Sequence, residues 1–191
     1  MIGRLRGILV SSFDGGVCIE VGGVGYEVNM TPRGLVSLPG IGEEVVVHTH
    51  THVREEEMSL FGFDNENERD LFRILLGASG VGTKVAMAML GTMSPQDIIR
   101  SVAAEDADAL TVVPGIGKRG AQRIVLELAP KLTGRDADVL QGSGSAAVRA
   151  ALESLGYSTE EINSVISKID PAESVETQVR DALRTLGGSS R

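Results

Sequence analysis

The sequence predicts a multidomain α+β chain: an N-terminal five-stranded β-barrel, a central all-α domain built on a doubled helical hairpin, and a C-terminal three-helix module on a flexible linker. Three observations predict it. Five short runs rich in Val and Ile crowd into residues 1–63. LTVVPGIGKRGAQRIV, at Leu110 to Val125, repeats the grammar of LLGASGVGTKVAMAML at Leu75 to Leu90, 35 positions earlier. TGRDADVLQGSGS, at Thr133 to Ser145, interrupts all periodicity before three further helical segments. The divisions that follow are 1–63, 64–132, 133–145 and 146–191.

Ile2 to Val10, Val17 to Val21, Val24 to Met30, Val45 to Val53 and Met58 to Phe63 read as strands, with Gly22-Gly23 as a tight hairpin turn. Five short strands in about 60 residues suit a small closed barrel of oligonucleotide-binding (OB) type, because closure removes exposed edges. Such barrels hold single strands with stacked aromatics and basic grooves. This one offers Phe13, Tyr26, Phe61 and Phe63, and residues 1–64 carry four Lys/Arg against nine Asp/Glu. A scaffold or self-association role fits it better. The single Cys18 lies in a strand pattern and is expected to be an inert buried thiol.

His48, His50 and His52 alternate with Thr49 and Thr51, so the three imidazoles share one strand face. A partly buried or interfacial row explains them. A metal site is the other reading, but no Cys or carboxylate at short range completes a tetrahedral set. The first is adopted, with no metal and no cofactor expected. Arg54, Glu55, Glu56 and Glu57 mark the tip between the last two strands. A solvated turn accounts for such a charge run; so does an electrostatic obstacle that repels converging phosphates.

The central part opens with an apolar stripe over Arg69 to Leu76, leading into Gly80-Val81-Gly82. Ser94-Pro95-Gln96-Asp97 is a helix start, with Ser as N-cap and Pro in the first turn. Asp106 to Val113 enters Gly115-Ile116-Gly117, and Ile124 to Leu132 continues the helix that follows. Between helices, Gly-aliphatic-Gly allows positive φ and close backbone approach, while the aliphatic residue pins the turn. The next helix then begins with unpaired N–H groups at the positive end of its dipole, an anion site. Lys84, Lys118, Arg119 and Arg123 would reinforce it. This looks like a tandem helix-hairpin-helix, which holds DNA by its phosphates. The bland alternative is a hairpin pair used only for packing.

Two other motifs are weaker. Gly115, Gly117 and Gly120 satisfy a dinucleotide-type G-x-G-x-x-G, but no second strand follows, and Val85 replaces the third Gly in the earlier copy. Gly77, Gly82, Thr83 and Lys84 brush against a P-loop with Lys and Thr in the wrong order.

In the last part, Ala146 to Leu155 stops at Gly156, a C-cap residue. Ser158 and Glu161 form a capping box for a helix through Ile169, and Ser174 caps a final helix through Leu186. This UBA-like module suits protein binding, with Leu155, Tyr157, Val179, Leu183 and Leu186 as either its contact surface or its core. Net charge is −8 overall, yet residues 65–133 are neutral and Pro114 to Lys131 carries +3. Positive charge is therefore concentrated on the repeat. The N-terminus lacks a signal-type core and no run approaches transmembrane length, so a soluble cytoplasmic protein is expected.

MIGRLRG at the start, IEVGGVGYEV at Ile19 to Val28, THVRE at Thr51 to Glu55, the FGF at Phe61 to Phe63, SGVG, PGIGK and the terminal VRDALRTLG occur in this order. In these stretches the chain resembles, along its full length, the RuvA family of Holliday junction branch-migration proteins. The resemblance implies binding of four-way junction DNA by a homotetramer or a pair of tetramers, built mainly through the barrel. It implies an acidic pin at Glu55 and Glu56. Phosphate contacts are implied for both hairpins, at Gly80, Gly82, Lys84, Gly115, Gly117, Lys118, Arg119 and Arg123. It also implies a third domain that docks on a RuvB-type hexameric AAA+ ATPase, with a junction resolvase as a further partner. Such a subunit is not an enzyme on its own. Glu57 adds a third charge to the pin, Thr83 stands where a Pro is frequent, and Gly120 loosens the second turn.

Overall fold

The computed structural model describes residues 1–55, 57–132, 143–166 and 175–188. The chain divides into two compact units, 1–133 and 134–191.

In the first unit, β1 (Arg4–Phe13), β2 (Gly16–Val21), β3 (Val24–Met30), β4 (Glu44–Val53) and β5 (Met58–Phe63) close into a barrel of order β1-β2-β3-β5-β4. Only β3 and β5 run parallel; the other neighbours are antiparallel. Gly22 and Gly23 both take positive φ, 60° and 84°, the conformation a two-residue hairpin needs. Alternate residues face inward: Leu5, Leu9, Val17, Ile19, Val28, Met30, Val45, Val47 and Leu60 form the core. Cys18, between Val17 and Ile19, is half-buried rather than buried, because the alternation turns it to the outer face.

Two features depart from expectation. β1 continues through Ser11 and Ser12 to Phe13, where a β-bulge between Leu9 and Ser11 carries the polar pair along β2. A short helix, α1 (Pro32–Ser37), joins β3 to β4; the Thr31 side chain accepts from Gly34 N–H at 3.1 Å and Pro32 opens its first turn.

The helical part of this unit comprises α2 (Glu66–Leu75), α3 (Thr83–Thr92), α4 (Pro95–Ala103), α5 (Ala107–Leu110) and α6 (Lys118–Leu132). Asn65 caps α2 and Ser94 caps α4, each accepting from the backbone N–H three residues on. The stretch Asp106 to Val113 forms only the four-residue α5 before its turn. Phe72 of α2 is fully buried and packs on the outer face of the barrel, with ring centroids 4.9 Å from Phe63, 5.4 Å from Phe61 and 5.4 Å from His50. That cluster fixes the helices to the barrel.

The second unit has α7 (Ser143–Ser154), α8 (Thr159–Ile166) and α9 (Val175–Gly188) around Val148, Leu152, Ile162, Val165 and Ala182. α7 starts at Ser143, inside the stretch expected to be linker; residues 133–142 of that stretch lie outside the described residues. The Ser158–Glu161 capping box is present, and Gly156 takes φ 90°. The expected Ser174 cap lies outside the described residues, as do positions 167–169 of the second helix. Among the described residues no helix is long and apolar enough to cross a membrane.

Candidate nucleic-acid interface

The turns of the two copies share three backbone hydrogen bonds. In the first, Ala78 N–H donates to Leu75 C=O at 3.1 Å, Val81 to Ala78 at 3.1 Å and Ala86 to Gly82 at 3.0 Å. In the second, Val113 donates to Leu110 at 3.2 Å, Ile116 to Val113 at 3.1 Å and Ala121 to Gly117 at 2.9 Å. Every partner is shifted by 35 positions. Gly80 and Gly115 take φ 84° and 90°. Val81 and Ile116 are buried as pins, and Ala86 and Ala121 let the helices close without any exposure.

What the turns present outward follows from their composition. Gly82 is the N-cap of α3 and makes no side-chain cap bond, and Gly117 has no side chain with which to cap α6. Neither helix has an acid in its first turn. Each N-terminus therefore offers its first amides and dipole to an anion rather than to its own side chains. Gly80, Gly82, Gly115 and Gly117 are exposed, and so are Lys84, Lys118, Arg119 and Arg123.

Arg123 does not serve only the hairpin it belongs to. A methyl built on Gly80 would meet Arg123 Nη2 at 2.5 Å, so this guanidinium lies over the first turn. Two further α6 side chains that the sequence reading passed over do the same. Glu127 Oε2 accepts from Ser79 N–H at 2.7 Å, and Lys131 Nζ donates to Gly77 C=O at 3.1 Å. The Glu127 carboxyl is held below its ordinary range by the Ser79 N–H first, then the Ser79 side chain, with Arg123 and Lys131 adding. Their i, i+4, i+8 spacing was the available signal; only the fold shows which loop the stripe faces.

At the barrel's β4–β5 tip, Arg54 N–H donates to Glu57 C=O at 2.8 Å and closes the turn. Glu55 is exposed there; Glu56 lies outside the described residues. Arg54 Nε donates to His52 Nε2 at 3.2 Å, and the Ser59 hydroxyl donates to Glu57. A polar cleft lined by His52, Arg54, Glu57, Ser59 and Thr83 sets this tip beside the start of α3. The three histidines stand on the outer face of β4. His50 packs edge-on against Phe72, His52 against Phe61, and His48 Nδ1 lies 3.6 Å from Glu66. Among the described residues no three His, Cys, Asp or Glu side chains gather to hold a metal.

In the second unit, Tyr157, Val179, Leu183 and Leu186 are half-buried against the core. Leu155 is 59% exposed.

The chain matches three family profiles: RuvA N terminal domain over residues 1–62, SAM-like Helix-hairpin-helix tandem over 72–130, and RuvA, C-terminal domain over 146–187. It is 44% identical over 200 aligned positions to the Holliday junction branch migration complex subunit RuvA of Cronobacter sakazakii, across 96% of this chain and 98% of that one. Proteins of the same description from Escherichia coli O9:H4 and Shigella boydii serotype 18 are each 42% identical over the same shares.

Proposed function

This chain belongs to the RuvA family, and from that premise we propose that it holds a four-way DNA junction open by its phosphates while a RuvB-type hexameric ATPase drives branch migration. The observation that carries the reading is the doubled turn, whose uncapped helix starts and exposed cations recur at a shift of 35 positions. Amides and cations grip sugar-phosphate without reading bases. Selectivity for branched DNA then comes from assembly. Four copies around a crossover make the later contacts intramolecular, which a flat four-armed junction can satisfy and a linear duplex cannot. Exposed apolar side chains on the barrel, including Ile8, Val10, Phe13 and Val46, suit the self-association this requires. The assembly proposed is a homotetramer, or two tetramers enclosing the junction.

In this reading Glu55 and Glu56 meet the crossing strands and keep them apart by repulsion. The second unit docks the motor, with Leu155 its most exposed apolar candidate, and a junction resolvase shares the same DNA. The chain itself performs no bond chemistry. Gel shifts on four-way, three-way and linear DNA of equal length, with and without the hexameric ATPase, test it. A strong preference for four-way DNA and a further shift with the ATPase are expected. Equal affinity for all three would refute it.

A further inference from the structure

We propose that Glu127, with Lys131, is a positioning residue that splints the first hairpin's turn to the second hairpin's helix, so that one protomer presents its two phosphate sites as a rigid pair. The two turns differ at one donor that matters here. Ser79 corresponds to Pro114, so the first turn has an N–H where the second has none. Glu127 takes that N–H at 2.7 Å, and one turn of helix later Lys131 takes the Gly77 carbonyl at 3.1 Å. The stripe works in one direction only. Shifted back 35 positions, Arg123, Glu127 and Lys131 correspond to Ala88 and Thr92 of α3 and to Gln96 of α4, and none of these carries a charge.

A carboxylate is otherwise out of place here. Glu127 is the lone acid between Pro114 and Lys131, on a surface read as gripping polyanions. By charge alone its removal should tighten DNA binding. As a splint its removal should loosen binding, because it frees the turn on which Gly80, Gly82 and Lys84 depend and unseats Arg123 from beside Gly80. The two roles predict opposite signs.

The inference rests on the phosphate-grip reading. Glu127→Ala and Glu127→Gln are compared with wild type for four-way junction affinity and for amide hydrogen exchange at Ser79. Glu127→Ala should weaken junction binding by about fivefold and accelerate Ser79 exchange. Glu127→Gln, which keeps an acceptor oxygen without the charge, should restore most of both. Glu127→Ala binding as tightly as wild type or more tightly overturns the splint. So does unchanged Ser79 exchange, or a Gln variant that falls as far as Ala. If wild type shows no preference for four-way DNA, the phosphate reading fails separately, and Ser79 exchange still decides the splint.

Discussion

Gly80 and Gly115 hold φ 84° and 90°, where any side chain strains the backbone by about 1–2 kcal/mol. Around Gly115 a methyl group meets open space, whereas at Gly80 it meets Arg123. Gly115→Ala should therefore show that strain alone in thermal melts. Gly80→Ala should show a similar loss of stability but a larger loss of junction affinity, because the guanidinium must move. Equal affinity losses would mean that Arg123 contributes nothing at the first turn. A second residue-scale prediction concerns His50, whose imidazole is held below its ordinary range, first by burial and then by Arg73 and His52. The unfolded chain binds a proton there more readily than the folded one. Stability from a neutral His50 is full above about pH 6.5 and is lost as pH falls through the lower folded value. Melting temperature should drop between about pH 7 and pH 5, and less steeply in His50→Phe; parallel profiles would remove His50 as the cause. The glycine register was legible in the sequence because a turn's geometry is local. The Glu127 and Lys131 contacts were not, since they span 48 and 54 positions.

At the scale of elements, strands β2 to β5 were legible because one face of each is buried and the alternation follows the pleat. The end of β1 was not, since the apolar run stops at Val10 and only pairing to β2 keeps Ser11 and Ser12 in the sheet. Helix α1 escaped notice although Thr31-Pro32 carries the same start signal as Ser94-Pro95. With six residues it has too little length for a periodic pattern. The histidine row shows the same limit from the other side: spacing placed the rings on one face, but only the fold reveals that Phe72 of α2 packs on His50 while His52 meets Phe61. Phe72 touches three rings of the barrel and fixes the first hairpin relative to the acidic tip. Phe72→Ala should cost about 3–5 kcal/mol in denaturant melts. Phe72→Leu, which refills much of the space, should cost clearly less. A loss within about 1 kcal/mol for the Ala variant would show that the barrel and helices are held by other contacts.

Across the whole molecule, charge is arranged against the overall sign. A chain of net charge −8 concentrates +3 on the segment from Pro114 to Lys131, so a polyanion meets attraction at the hairpins and repulsion elsewhere. That division was legible from composition taken in segments, as was the three-part layout that the family profiles match at 1–62, 72–130 and 146–187. The proposed assembly rests on less, namely the acidic barrel's poor fit to nucleic acid and exposed apolar side chains such as Phe13 and Ile8. The central claim is that phosphate contacts, doubled in each protomer and multiplied by four, supply the affinity. Its most direct test is the salt dependence of binding to a four-way junction. Eight phosphate sites per tetramer predict a log–log slope on the order of −7. A slope of about −1 would contradict a grip built from repeated phosphate contacts.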